Sequence, residues 1–453
     1  MAGMNLTLDP QDPRPLPVQI AAAVRELVAA GALLPGETIE SSRALAASLG
    51  ISRGSVVTAF DQLTAEGYLV ATTGSRTRIN PLLKPIAQPS PAPAPSPAPR
   101  PPLIELTPGL PDSRGIVTPQ WRAAWREAAA HALGTAPSVG LEALRREIAA
   151  HLRHMRGLAV ETERIIVTAG AREGLTIFLR HIAGPGPLRI GVESPGYPSL
   201  RRIPPALGHT LVEVPTDSEG VTVPPTPVDA LVLTPSHQYP YGESLSAARR
   251  TEVVEWARSQ SSWIIEDDFD SELRYLGQPL PALASLAPER TVLLGTFSSV
   301  LSPGIACGFL VCPPRLVAGL SAQRELFGQP VSLITQTALA SFMASGALRR
   351  HTGKMRRAYR SRRNLVIDAF SDVEGVELLP IHGGLHAVLL CQRPAAEVVA
   401  RAARSRIGLT ALADYWGGHT APNGVVIGFG HLDDAQLAGA LKVLAHASNS
   451  TQP

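Results

Sequence analysis

Five short runs decide the fold class of most of this chain: RIIVTAG at residues 164–170, LRIGVE at 188–193, DALVLTP at 229–235, WIIEDD at 263–268 and TVLLGTF at 291–297. Each is apolar and rich in β-branched residues, each closes on turn residues or carboxylates, and helical patterns separate them. Strands alternating with helices pair in parallel, because each crossover returns the chain to the same end of the sheet. Residues 115–328 are therefore expected to form an α/β main domain, with a mostly parallel sheet and helices on both faces. Beyond Gln329 the pattern changes to a long helical stretch (residues 333–370) and then short strands, GGLHAVLL at 383–390 and GVVIGFG at 424–430. A smaller α+β C-terminal lobe is expected over residues 329–447.

Working outward, 453 residues exceed what one core holds, and a hydrophobic fraction of 45% suffices for several. A formal charge of +3 decides nothing about nucleic acid, because DNA binding needs cations clustered on one surface. Cys307, Cys312 and Cys391 show neither disulfide nor metal-ligand spacing. The first residues lack the basic start and apolar core of a signal peptide. The long uncharged stretch at 291–314 is broken by Ser298, Ser299, Ser302, Pro303 and Gly304, so a membrane span is not expected and a cytoplasmic protein is. No GxSxG elbow supports a hydrolase, and GPGP at 184–187 is not a dinucleotide loop. Residues 81–114 form a linker in which nine prolines between Pro85 and Pro102 alternate mostly with Ala and Ser. In polyproline form about twenty such residues reach roughly 60 Å, and a flexible tether fits the composition equally well.

Residues 12–80 read as a winged helix-turn-helix. In SSRALAASLGISRGSVVTAFDQLTAEGYLV (41–70), Ala46 is small where two helices approach, Gly50 allows a left-handed turn, and Ile51 and Val56 pack the second helix on the first. Ser52 is a natural N-cap, so Arg53, Ser55 and Thr58 are expected on the outward face of a helix that enters the major groove. The following residues, EGYLVATTGSRTRI (66–79), read as two strands joined by a turn at Gly74 and Ser75, carrying Arg76 and Arg78 toward phosphate. From Gln19 to Ile79 this stretch resembles the GntR-type winged-helix domain, including the SSR triplet. That resemblance implies DNA contacts from Arg43, Arg53, Ser55 and Arg76, with Arg43 and Arg76 on phosphate and Arg53 at a base edge. Arg76 departs from the glycine common in the family's wing.

Five motifs of the main domain, VTAGAREGL, VESPGYPSL, TPSHQYPYGESLSAARR, IIEDDFDSELRY and GTFSSVLSPGIACGFLV, resemble in order the fold-type-I pyridoxal-phosphate proteins. With the winged helix they resemble specifically the MocR/GabR-type regulators, over nearly the whole chain. The family places its imine-forming lysine where this chain has Ser299. It places a phosphate-binding arginine at Ala306, a tyrosine that reaches the cofactor's phenolic oxygen at Phe269, and a carboxylate-binding arginine at Val426. Asp267, which the family uses on the pyridine nitrogen, and Tyr197, which could stack on an aromatic ring, remain. Gly170, Ala171, Thr296 and Ser298 could still cradle an anion at a helix N-terminus.

Other residues carry two readings. Arg172 is either a substitute cation for that anion or an outward, solvated arginine. Asp267 and Asp268 are either ligand-binding or buried strand-end carboxylates satisfied by amides or Arg274. His237 reads as a loop hydrogen-bonding residue, and the basic run at 349–363 as a solvated or interdomain face or a second DNA contact.

The expectation is a DNA-binding transcription regulator whose partners are operator DNA, an unknown small-molecule effector and a second copy in a head-to-tail homodimer. No catalytic or metal-ligating residues are expected. No covalently bound cofactor is expected either, and pyridoxal phosphate would be at most a weak, non-covalent ligand. The rivals are a pyridoxal-phosphate enzyme with an appended DNA-binding module and an architectural DNA-binding protein without effector.

Overall fold

The computed structural model describes residues 6, 8–9, 12–70, 77–83, 104–130, 134–275, 277, 280–417 and 421–449. Two compact units divide the chain, Met1–Arg100 and Pro101–Pro453.

The first unit holds α1 (Leu16–Ala29), α2 (Ser42–Leu49), α3 (Arg53–Ala65), β1 (Leu69–Val70) and β2 (Arg78–Ile79). α2 starts where the Ser41 hydroxyl accepts the Ala44 N–H and stops at Gly50, whose φ of 66° is left-handed. α3 is capped by Ser52, which accepts the Ser55 N–H at 3.1 Å, a bond worth about 1 kcal/mol. Val56, Ala59, Phe60 and Leu63 then face Ile20, Val24 and Leu45 in one core. The hairpin pairs Leu69 with Ile79 and Val70 with Arg78, burying the first pair and exposing the second. The expected wing turn, with Gly74, Ser75 and Arg76, lies outside the described residues.

The second unit opens with β3 (Ile104–Glu105), α4 (Pro119–Ala130) and α5 (Glu142–Arg156). Its main sheet contains β4 (Ile165–Thr168), β5 (Arg189–Ser194), β6 (Thr210–Asp217), β7 (Gly220–Val221), β8 (Ala230–Leu233), β9 (Trp263–Asp268), β10 (Thr291–Thr296) and β11 (Gly308–Val311). α6 (Ala171–Ile182) follows β4, α7 (Pro198–Arg201) and α8 (Ile203–Ala206) follow β5, and α9 (Ala247–Ser259) follows β8. The spatial order is β4-β11-β10-β9-β8-β5-β6-β7. The run β10-β9-β8-β5-β6 is parallel as expected, while β11 runs antiparallel to both β10 and β4, and β7 to β6. β4 and β8 are buried at every residue, as strands covered on both faces must be. The C-terminal ends of β4, β5, β8, β9 and β10 meet along one edge, where ligands of parallel sheets bind.

α10 (Val317–Phe327), α11 (Leu333–Ala344) and α12 (Ala347–Phe370) lead to the smaller lobe. There β12 (Val376–Leu378), β13 (His386–Cys391), α13 (Ala395–Arg404), β14 (Ile407–Gly408), β15 (Thr410–Ala411), β16 (Gly424–Gly428) and α14 (Asp434–Ser448) follow, with an antiparallel sheet ordered β12-β13-β16-β15. β3 pairs in parallel with β14. Arg362 ties α12 to both Asp112 and Asp434 at 2.9 and 3.0 Å. Burial alone would raise the Asp112 carboxyl, but Arg114 and Arg362 outweigh it and bring it down to about 2. Among the described residues no helix is long and apolar enough to cross a membrane.

Candidate functional site

Arg43 on α2 and Arg53 in the first turn of α3 are exposed, and among the described residues neither is held in an ion pair, so both guanidinium groups are open to phosphate or a base. Thr58 is also exposed, its hydroxyl donating to the Gly54 carbonyl at 3.0 Å. Ser55 stands in the same first turn of α3. It is half-buried and its hydroxyl lies 2.9 Å from that of Ser52, because a residue three after the N-cap folds back over the cap.

At the sheet edge, Gly170 ends the turn after β4 with φ 104°, a conformation side chains disfavour, and opens α6. The expected anion cup is partly satisfied within the chain. The Ala169 N–H donates to Glu173 Oε2 at 3.1 Å, the Thr168 hydroxyl donates to the Gly170 carbonyl at 3.1 Å, and the Ser298 N–H donates to Thr296 Oγ1 at 3.1 Å. Ala171 is half-buried at the start of α6. Arg172 is exposed and lines a surface groove of about 320 Å³ with Thr176, Ser199 and Arg202, which matches its solvated reading.

Asp267 sits at the end of β9, 3% exposed, with Oδ1 lacking any hydrogen-bond partner. Burial, then Asp268, Asp270, Glu193 and Glu266, pushes its carboxyl well above the usual range. Glu193, at the end of β5, is pushed up to about 7 by burial despite two bonds from Thr234. Asp267 and Glu193 share a cavity of about 20 Å³ with Gly196, Tyr197, Leu200, Val232 and Thr234. The Tyr197 ring lies parallel to that of Phe269, 6.5 Å between centroids, and edge-on to Tyr239 at 5.2 Å.

Asp267 and Asp268 were expected to be satisfied by amides or by Arg274, and Asp268 pairs with Arg156. Arg156 ends α5 with its side chain buried, 3.1 Å from Asp268 and 3.5 Å from Glu266, and donates to Ser236 at 2.8 Å. Arg274 donates to the Ser244 hydroxyl at 2.8 Å. Asp267 has no amide partner either, whereas Glu266 accepts the N–H groups of Leu283 and Ala284. His237 does act as a hydrogen-bonding residue, with Nδ1 2.7 Å from Asp270 Oδ2, and its ring contacts that of His386 at 5.2 Å. Burial, then His237, brings His386 down to about 3. Arg156, Glu193, Asp270 and His386 were not among the expected site residues.

Ser299 follows β10 and donates its hydroxyl to the Phe269 carbonyl. Ala306 has a left-handed backbone, φ 46°, and Val426 lies in an apolar cluster with Tyr239, Val388, Leu412 and Tyr415. Lys354 on α12 and Lys442 on α14 are exposed, and Lys84 lies outside the described residues.

Residues 16–79 match the model of the gntR family of bacterial regulatory proteins, and residues 102–423 that of class I and II aminotransferases. Over 452 residues the chain is 53% identical to the HTH-type pyridoxine biosynthesis transcriptional regulator PdxR of Corynebacterium glutamicum, 99% of each chain being covered. The chain belongs to the GntR-family transcription regulators with an aminotransferase-like domain. The regulator is also 29% identical over 394 residues to the probable rhizopine catabolism regulatory protein MocR of Rhizobium meliloti, with 80% of this chain and 78% of that one covered. Its fold is that of the Pyrococcus horikoshii kynurenine aminotransferase, with a TM-score of 0.69 at 22% identity over 76% of this chain and 90% of that one.

Proposed function

We propose that this regulator binds operator DNA through α3 and its wing as a cytoplasmic, head-to-tail homodimer, and that its aminotransferase-like domain carries out no transamination. The observation that carries the second part is Ser299. By the family resemblance it stands at the lysine position, and its hydroxyl is spent on the Phe269 carbonyl. A hydroxyl forms no imine, and both described lysines are exposed on helices of the smaller lobe's side of the chain. Ala306 and Val426 supply no cation for a phosphate or a substrate carboxylate. The residues present therefore do not fit covalently held pyridoxal phosphate, which supports the regulator reading over the enzyme reading. The likeness to PdxR supports genes of pyridoxine biosynthesis as the regulated set.

Two measurements test this. Pyridoxal phosphate is added to the purified chain, borohydride follows, and peptides are mapped by mass spectrometry; no pyridoxyl peptide from the sheet edge is expected. A stoichiometric adduct there, or appreciable turnover of amino-acid donors, would refute the non-enzymatic reading. Footprinting on pyridoxine-biosynthesis promoters should show two protected half-sites about one or two helical turns apart, as a dimer of winged helices requires. Absence of protection there would refute the assigned gene set.

A further inference from the structure

We propose that Val57, beside Gly54 on the outward face of α3, reads the 5-methyl group of a thymine in the operator half-site. This rests on the reading that α3 lies in the major groove, and it adds a base that α3 selects there.

The buried stripe of α3 runs through Val56, Ala59, Phe60 and Leu63. At about 3.6 residues per turn the opposite pole falls at Gly54, with Val57 on one side of it, Thr58 on the other and Asp61 two turns farther along. All four are exposed, Val57 by 37%. Arg53 precedes Val57 by four residues and shares its side of the helix. The hydroxyls of the first two turns are committed within the chain. Thr58 donates to the Gly54 carbonyl at 3.0 Å, and the Ser55 hydroxyl lies 2.9 Å from that of Ser52. Among the described residues of these turns, Arg53 is the side chain left to read a base by hydrogen bonds. The groups beside it are the Val57 methyls and the bare backbone of Gly54. In the major groove the unmodified base edge that carries a methyl group is thymine's, and an apolar side chain is its partner. Four residues at about 1.5 Å each separate Arg53 from Val57 by about 6 Å along the axis, close to two base-pair steps of about 3.4 Å. The thymine therefore lies within about two base pairs of the base that Arg53 reads.

The fold itself asks for neither Gly54 nor Val57. A glycine and an exposed β-branched residue both weaken a helix at positions where Ala, Lys or Glu would strengthen it. A Cβ at Gly54 would meet nothing nearer than Ser52 Oγ at 3.8 Å, and its backbone is not left-handed, so the chain leaves room for a side chain there. The empty position lets the first turn of α3 come close to the base edges. A side chain as short as valine needs that approach, because apolar contact requires heavy atoms within about 4 to 4.5 Å. Asp61 places a negative charge farther along the same pole, where phosphates would repel it, so α3 enters by its N-terminal turn.

The test takes the duplex that the full chain enriches from a random-sequence pool and replaces its thymines one at a time by deoxyuridine, which pairs in the same way and lacks only the methyl group. Fluorescence anisotropy then compares wild type, Val57→Ser and Gly54→Ala, each checked for an unchanged circular dichroism spectrum. For wild type, deoxyuridine at one position of a half-site should weaken binding about fourfold, the worth of one buried methyl group. That position should lie within about two base pairs of the one where Arg53→Ala loses its base preference. Val57→Ser should lose a similar factor on the thymine duplex, be indifferent to deoxyuridine at that position and bind a scrambled duplex as wild type does. Gly54→Ala should lose about tenfold on the enriched duplex, since the added methyl group holds the helix off the bases. Indifference of wild type to every deoxyuridine, an undiminished deoxyuridine effect in Val57→Ser, an equal loss on scrambled DNA in that variant, or wild-type affinity in Gly54→Ala would each overturn the proposal. Arg53→Ala separates this failure from that of the underlying reading. If that variant loses the enriched duplex while wild type ignores deoxyuridine, α3 stays in the groove and only the role of Val57 falls; if it binds as wild type does, the placement of α3 falls first.

Discussion

Replacing Glu193 by Gln tests the electrostatics of the cavity directly. Glu193 is 4% exposed and accepts the Thr234 N–H at 3.0 Å and its hydroxyl at 2.5 Å. Burial raises its carboxyl from an ordinary 4.5 to about 7. A group raised in the folded state holds its proton while the unfolded chain releases it, so the associated stability is complete below pH 4.5 and is lost as pH rises toward 7. At about 1.4 kcal/mol per pH unit, that interval amounts to about 3 kcal/mol. Glu193→Gln keeps the shape, offers its carbonyl to the Thr234 N–H and its amide to the Thr234 hydroxyl, and cannot ionise. The variant should match wild type near pH 4.5 and exceed it by about 3 kcal/mol at pH 8. Urea unfolding followed by tryptophan fluorescence reads the second unit alone, because Trp121, Trp125, Trp256, Trp263 and Trp416 all lie in it. A difference between the two proteins that stays constant from pH 5 to pH 8 would refute the assignment of a buried, late-ionising Glu193.

Arg156→Met strips Glu266 and Asp268 of their buried cation and should cost about 3–5 kcal/mol of the same unfolding transition; a loss below about 1 kcal/mol would mean that these carboxylates do not depend on it. Arg53→Ala should weaken operator binding by about 1–3 kcal/mol if Arg53 reads a base edge. Fluorescence anisotropy on operator and scrambled duplexes separates that role from phosphate contact, which would weaken both equally. Ser299→Lys should yield no transaminase activity and no stable aldimine band after addition of pyridoxal phosphate, since Phe269, Ala306 and Val426 remain; turnover by this variant would show that one residue alone separates the regulator from an enzyme.

The parallel strands were legible because a strand buried on both faces must be apolar throughout, as in Ile165–Thr168 and Ala230–Leu233. The same property hid the direction of Gly308–Val311, since a central antiparallel strand covered on both faces has an identical composition. The helix-turn-helix was legible through Ser52 and Gly50, whose chemistry is local. The hydrogen bond of Ser55 to the Ser52 cap was not legible, because helical periodicity alone does not register the cap that its hydroxyl joins. Arg156 was missed although a signal existed. Leu144, Ile148 and Leu152 recur every four residues along α5, and Arg156 is the next position on that buried stripe. Asp267 was identified by resemblance, but its unpartnered oxygen and its proximity to Glu193 depend on strands far apart in sequence.

The departures that the family resemblance assigns to Ser299 and Ala306 would act together on one quantity, the charge at the sheet edge. Glu193, Glu266, Asp267, Asp268, Asp270 and Glu272 converge there, and the buried groups that face them include Arg156, His151, His237 and, toward Glu266, Arg250. His151 and Glu272 neutralise each other: burial opposes charge on both, yet the pair holds His151 above and Glu272 below their ordinary values. Arg156 serves Glu266 and Asp268, and His237 serves Asp270. Among the described residues the carboxylates of Glu193 and Asp267 form no ion pair, although Arg201 lines their cavity, and both are pushed upward toward the neutral acid by burial. A lysine and an arginine at positions 299 and 306 would bring two positive charges to this edge and hold more of its carboxylates ionised. Without them the site keeps protons in place of cations. Neutral acids clamp anions poorly, so on the proposed reading the same exchange of cations for protons would weaken both imine chemistry and the grip on a phosphate.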